Sequence, residues 1–246
     1  MADILQTSLP YDPLDEKPLP GIAPLDPKSW LWVDEAYAGQ VARKAEILRA
    51  ARNDALMQDA MADAALDELL GAVVTHLDRD HTGFMRDGDG MLCPDGRRVA
   101  LTGGPLDVLS QLVQEDFCIL QKPAGSDEHI LTAGLLAFPA SWKLAEKFMQ
   151  PLTGIHVPVR SYDENIAKRV QRLFDGIRVG RPLWRYNALW YLDAELHQPR
   201  RQDQQRPTSG STGPYLRSER QTLMRLPLTD AVVFGIHTFV VKAGDL

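Results

Sequence analysis

The end of the chain sets the tightest limit on its fold. Residues 215–226 and 231–242 are two long runs of strand-forming residues, separated only by Pro227, Leu228, Thr229 and Asp230. Two such runs joined by a short turn predict an antiparallel hairpin. The second run is almost wholly apolar and reads as a central strand. The first carries Leu216-Arg217-Ser218-Glu219-Arg220-Gln221-Thr222-Leu223. Alternation places Arg217, Glu219 and Gln221 on one face and Ser218, Arg220 and Thr222 on the other. Unpaired charges are expensive to bury, so an edge strand wet on both faces is the plain reading. Beside a central strand, the same charges would line a pocket, where Arg neutralises a ligand's carboxylates and Glu receives a cation.

Upstream, helix and strand patterns are mixed. Residues 1–29 hold six of the 17 prolines, Pro10, Pro13, Pro18, Pro20, Pro24 and Pro27. Each fixes φ and removes a donor, which predicts an extended arm over the surface. Asp34 can cap a helix carrying Tyr37, Val41, Ile47 and Leu48 near helical spacing. A second helix is predicted from about Met57 to Leu77, with Met61, Leu66, Leu69, Leu70 and Val73 on one face. Residues 76–104, rich in Asp and Gly, read as a long loop. A third helix follows over 106–115, then strands over 117–121 and 130–138. Ser141 can cap a short helix through Met149, which Pro151 ends. Ile166, Val170 and Phe174 mark a helix over 163–174, and 184–190 resumes as a strand. The polar stretch 198–213 reads as a loop. Hairpin-paired strands with helices gathered on one side predict an α+β fold with an antiparallel sheet. Residues 1–114 are expected to form the arm and N-terminal helices, packed on a core of residues 115–246 as one compact unit.

Composition narrows the function. The chain's 246 residues are 44% hydrophobic and 24% charged, ordinary values for a globular protein large enough to need no disulfide or metal staple. Its net charge of −6 is opposite to that of a typical nucleic-acid binder. The one basic cluster, Arg200, Arg201 and Arg206, lies in a polar Gln-rich stretch. No apolar run approaches the ~20 residues of a membrane span, and no cationic start precedes an apolar stretch. A cytoplasmic protein with no membrane or nucleic-acid partner is expected. Cys93 and Cys118 lack the spacing of a zinc site, and Cys118 reads as a buried, inert thiol. Asp78-Arg79-Asp80-His81-Thr82-Gly83 opens like a calcium loop, but the bidentate Glu is missing and Arg86 sits at a ligand position, so it reads as a solvated turn. Nucleotide-binding glycine motifs and the common hydrolase signatures are absent. Any redox role therefore takes electrons from another protein.

Ile155-His156-Val157-Pro158-Val159 is the remaining candidate. Pro158 holds Val157 extended, which sets His156 on a rigid apolar segment. Desolvation there lowers the imidazole pKa and leaves a ring nitrogen able to bind a metal. The local sequence alone favours a core histidine bonded to a backbone carbonyl.

Several separated motifs, in order, resemble the haem-dependent oxidative N-demethylase family. They begin at Leu19-Pro20-Gly21, Pro24-Leu25, Trp30, Asp34 and Tyr37, and continue through Glu115-Asp116-Phe117-Cys118-Ile119-Leu120. The strongest are Phe138-Pro139-Ala140-Ser141-Trp142 with Glu146-Lys147, Ile155-His156-Val157-Pro158-Val159, Trp184-Arg185-Tyr186-Asn187 and Arg217-Ser218-Glu219-Arg220-Gln221-Thr222-Leu223. Val233-Phe234-Gly235-Ile236-His237-Thr238-Phe239 closes the match.

The resemblance implies a PAS-like antiparallel sheet with flanking helices and a helical N-terminal extension, holding haem b. It implies oxidative demethylation of a small methylated amine such as dimethylamine with O₂, releasing formaldehyde. A separate flavin and iron–sulfur reductase would supply electrons, and folate-binding subunits would take up the formaldehyde. Carried over residue by residue, it makes His156 the iron ligand, with His129 and His237 as alternatives. Arg220 and Lys147 would pair with haem propionates. Glu219 would hold the protonated amine and Arg217 would hydrogen-bond oxygen in the distal site. Alternation alone leaves the split between propionate and distal roles open. Two competing readings are a PAS-like haem sensor of gas or redox state, disfavoured because no signalling segment follows Leu246, and a scaffold that has lost haem.

Overall fold

The structure, a computed structural model, describes residues 4–15, 21–156, 164–201, 204 and 212–246; for residues 156 and 164–168 only the backbone is described. In chain order the elements are β1 (Ala23–Pro24), α1 (Tyr37–Ala55), β2 (Leu56–Gln58), α2 (Asp63–Asp80), β3 (Met85–Asp87), β4 (Gly90–Leu92) and β5 (Arg98–Ala100). They continue with α3 (Pro105–Leu112), β6 (Asp116–Gln121), β7 (Ile130–Leu135), α4 (Leu152–His156), α5 (Glu164–Gly176), β8 (Leu183–Tyr191), β9 (Tyr215–Arg225) and β10 (Val232–Lys242).

The predicted hairpin is β9–β10, with Tyr215 opposite Lys242 and Arg225 opposite Val232. The backbone N–H of Leu226 donates to Ala231 O across the turn. These two strands sit inside a seven-stranded antiparallel sheet of order β1-β8-β9-β10-β6-β7-β2. The charged strand β9 is therefore interior, not an edge. Residues from the N-terminal half, β1 and β2, close both edges.

Alternation turns each strand's residues to two covered faces. On one face, Phe117, Ile119, Ala133, Leu135 and Val233 pack against Leu66, Leu69, Val73 and Leu77 of α2 and Leu106, Leu109 and Leu112 of α3. On the other, Cys118, Leu120, Leu131, Leu223, Val232 and Ile236 pack against Leu152 of α4 and Phe174 at the end of α5. Helices thus cover both faces, which corrects the expectation that they gather on one. The apolar run of β10 follows directly from this, since neither of its faces meets water. Helix α1 is pinned to the sheet by Lys44, whose buried Nζ lies 3.1 Å from Asp116 Oδ1 and donates to Val113 O and Glu115 O.

Other expectations are corrected locally. Met57 belongs to β2, and α2 starts only at Asp63, after a 3-10 turn over Ala60–Ala62. The stretch read as a loop ends α2 and then forms the small sheet β3-β4-β5, closed by Arg98, which donates to Asp87 and Asp89. Helix α3 stops at Leu112, leaving Gln114 and Glu115 buried ahead of β6. Only a 3-10 turn, Leu144–Glu146, forms within 141–149, and α4 follows Pro151 instead of ending before it. A proline beside the first turn of a helix loses no bond, because the first N–H groups are unsatisfied anyway. His156 accordingly closes a helical turn, not an extended segment; Val157 and Pro158 lie outside the described residues.

Candidate functional site

The β8–β9 register builds one polar sheet face. Asn187 lies across from Glu219, Arg185 from Gln221 and Leu189 from Arg217. Glu219 is 4% exposed. Its Oε2 accepts from Asn187 Nδ2 at 3.1 Å and from Gln221 Nε2 at 3.0 Å, while Asn187 Oδ1 accepts the Glu219 N–H. Its Oε1 lies 3.8 Å from Arg217 Nη2 and has no hydrogen-bond partner. Two amides thus orient the carboxylate and leave one oxygen open.

Arg217, 2% exposed, donates from Nη1 to Leu196 O at 2.8 Å and from Nη2 to Phe138 O at 2.5 Å. Its guanidinium lies 5.8 Å from the Tyr191 ring centre, and Nε is buried without a partner. It therefore ties two connecting segments to the sheet while its charge faces Glu219. Arg185 Nε is also buried without a partner. Burial pulls the Arg185 pKa below its ordinary value, and the charge of Glu219 only partly opposes this. Arg185 and Asn187 line a cleft of about 460 Å³ at the β8 edge. Leaving a buried charged donor or acceptor unsatisfied costs roughly 1–3 kcal/mol or more. Arg185 Nε and Glu219 Oε1 are two such atoms of opposite sign on one face.

The opposite face is polar but satisfied differently. Arg220 donates to Trp30 O at 3.2 Å and to Ser29 O, with Trp32 and Trp184 ring centres at 5.6 and 5.8 Å. It faces away from Glu219 and holds the segment leading into α1. His237 Nε2 lies 3.0 Å from Asp34 Oδ2 and Nδ1 3.3 Å from Glu115 Oε1. Burial alone would lower the His237 pKa, but the neighbouring Asp34 and Glu115 carboxylates outweigh it and raise it above its ordinary value. Burial would likewise raise both carboxyls, yet His237 holds each below its ordinary range. A carboxylate oxygen thus stands near each ring nitrogen of His237, hydrogen-bonded at Nε2 and only close by at Nδ1. Asp34 does not cap α1 as expected, since the cap is Ala36 and no side chain caps it; Asp34 Oδ1 accepts the Ala36 N–H at 2.9 Å in the turn before the helix, and Oδ2 serves His237 and Gln6.

The remaining candidates lie around α4. Lys147 Nζ donates to Ile155 O, one residue before His156, and so braces the turn that ends there. Burial lowers the Lys147 pKa. The His156 side chain lies outside the described residues. His129 is 2% exposed; Gln171 Nε2 donates to its Nδ1 at 3.0 Å, which places its own proton on Nε2. Cys118 is buried, and burial pushes its thiol well above the ordinary range.

The structure thus brings Glu219 and Arg217 together and separates both from Arg220. It adds Asn187 and Arg185, to which the sequence reading gave no role. Alternation along β8 already put these two on one face, but only the register with β9 shows that they meet Glu219.

The antiparallel sheet of this α+β fold thus carries a buried carboxylate with one oxygen unpartnered, and Arg185, whose Nε is buried without a partner, borders a cleft. Residues 21–246 match the family described as haem-dependent oxidative N-demethylase, alpha subunit-like, and the chain belongs to that family. That family implies haem dependence, a demethylase-like activity and a place as one subunit of an enzyme. Among the described residues no helix is long and apolar enough to cross a membrane.

Proposed function

We propose that the chain, on a PAS-like core, binds haem b and oxidatively demethylates a small methylated amine of the dimethylamine type, consuming O₂ and releasing formaldehyde. Electrons would come from a separate flavin and iron–sulfur reductase, and folate-binding subunits would take up the product. The observation that carries this reading is Glu219: a buried carboxylate, oriented by two amides, with Oε1 left open.

The residues present fit the group in their chemistry. The Glu219 face offers guanidinium nitrogens without partners at Arg185 and Arg217, and α4, which ends at His156, packs on the same face through Leu152. His156 would hold the iron, Lys147 braces its turn, and the guanidinium groups would suit the haem carboxylates. Of the proposed propionate partners, Arg220 would serve only a group reaching the opposite face. When bound, haem supplies the oxygen and electron chemistry, and the protein supplies placement and electrostatics.

Glu219 performs the binding step. A protonated amine leaves water only if a carboxylate meets it, and Oε1 is free to accept its N–H. Asn187 and Gln221 prevent the carboxylate from rotating away, and the Arg217 guanidinium stands 3.8 Å from its open oxygen. Arg217 would hydrogen-bond O₂ through Nε, since Nη1 and Nη2 are held by carbonyls.

Purified protein should show a Soret band, which shifts on reduction under CO and weakens in His156→Ala. Glu219→Gln should keep that band while formaldehyde release falls about thirtyfold or more, the effect of removing one partner of a buried charge pair. Absence of a Soret band after expression with ample haem overturns haem binding. Wild-type turnover in Glu219→Gln overturns the role of the carboxylate.

A further inference from the structure

Arg185 is the one charged side chain on the Glu219 face for which the described residues show no hydrogen bond or ion pair. On that face Arg217 has two carbonyls and Arg225 has three, and on the opposite face Arg220 has two carbonyls and two rings. Glu219, diagonally across β8–β9, is near enough to influence its charge but does not pair with it. Arg185 is half-buried and Glu219 buried on one face, yet the two do not pair. Each here keeps one buried atom open, Arg185 Nε and Glu219 Oε1, and Arg185 borders the 460 Å³ cleft.

We propose that Arg185 is a carboxylate-binding residue, so that the ligand completing this face presents an anionic carboxylate to Arg185 while its cationic or neutral part lies toward Glu219. A planar guanidinium receives a carboxylate through two parallel N–H bonds, which suits an Nε awaiting a partner. The carboxylate has two possible sources. It is either a propionate of the porphyrin, which rests on the haem reading above, or the acid group of an amine substrate, which would make the substrate an N-methylated amino acid.

The test compares wild type with Arg185→Gln and Arg185→Lys, each first shown to fold by circular dichroism and thermal unfolding. One arm titrates the haem-free protein with hemin and with hemin dimethyl ester, read by absorbance and tryptophan quenching. The other titrates the protein as purified with sarcosine and with dimethylamine, read by calorimetry. Arg185→Gln should weaken binding of hemin or of sarcosine by roughly tenfold or more, the loss expected for a charge-assisted pair. The carboxylate-free counterpart in the same arm should change little, and Arg185→Lys should recover part of the loss. An effect in the hemin arm assigns the propionate, and one in the sarcosine arm assigns the substrate. Equal effects on acid and non-acid probes, or none on either, overturn the proposal, as does a wild type that binds no probe. If wild type fails to bind hemin but discriminates sarcosine through Arg185, the haem reading falls and this one stands.

Discussion

At the scale of single residues, His237 shows how burial and charge are balanced. Its ring is buried between Asp34 and Glu115, whose carboxylates raise its pKa. A raised histidine pKa contributes stability that is complete below the unfolded value of about 6.5 and fades as pH rises through the folded value. The two depressed carboxyls contribute stability that is complete above their unfolded values, about 4, and fades as pH falls through the folded ones. The cluster therefore stabilises most between roughly pH 4.5 and 6.5. His76, His81 and His129, whose pKa values burial lowers, act in the opposite sense below about 6.5 and mask the effect in wild type alone. The difference in unfolding free energy between wild type and His237→Gln isolates it. That difference should be largest near pH 5.5 and shrink toward pH 9; a difference that grows with pH rules out the charged imidazole.

At the scale of elements, Arg225 joins pieces that propensity alone would leave loose. It donates from Nε to Ile177 O, from Nη2 to Phe174 O and from Nη1 to Asp230 O, tying the end of α5 to the β9–β10 turn. Arg225→Met leaves these carbonyls without the donor and should lower unfolding free energy by roughly 3 kcal/mol, measured by urea denaturation. The strand character of β9, β10, β6 and β8 was legible because alternation and apolar runs are local properties. The faces of Arg217, Glu219 and Arg220 were legible for the same reason. The strands β3, β4 and β5 were not, since each is three residues long and too short to show a period. Pro151 misled because proline is compatible with both an end and a beginning of helix. The roles of Arg185 and Asn187 needed the register, which a single strand's sequence does not contain. The covering of both sheet faces was in principle readable from β10, whose apolar residues occupy both.

At the scale of the whole molecule, the N-terminal arm is fastened across the sheet. The Gln6 backbone N–H donates to Val240 O, Gln6 Oε1 accepts the Val240 N–H, and Gln6 Nε2 reaches Asp34. Tyr11 Oη bonds Ser218 Oγ at 2.9 Å and its ring stacks on Tyr186 at 4.5 Å. A chain shortened to begin at Pro10 strips the Gln6 bonds from β10 and from the His237 cluster. Its melting temperature should fall by several degrees, as expected for a loss of roughly 2 kcal/mol in a chain of this size. An unchanged melting temperature would show that the arm only lies on the surface.

The sheet order also dictates an order of assembly. β10 lies at the middle of seven strands, yet it is the last of them to leave the ribosome. The earlier strands β6, β7 and β2 can form only a partial ribbon, its β6 edge open until β10 arrives, while β1 waits for β8. Closure thus depends on pairings between residues far apart along the chain, the arrangement that slows folding and exposes sticky edges meanwhile. A nascent chain of this protein stays vulnerable to self-association until its final hairpin slots into the gap.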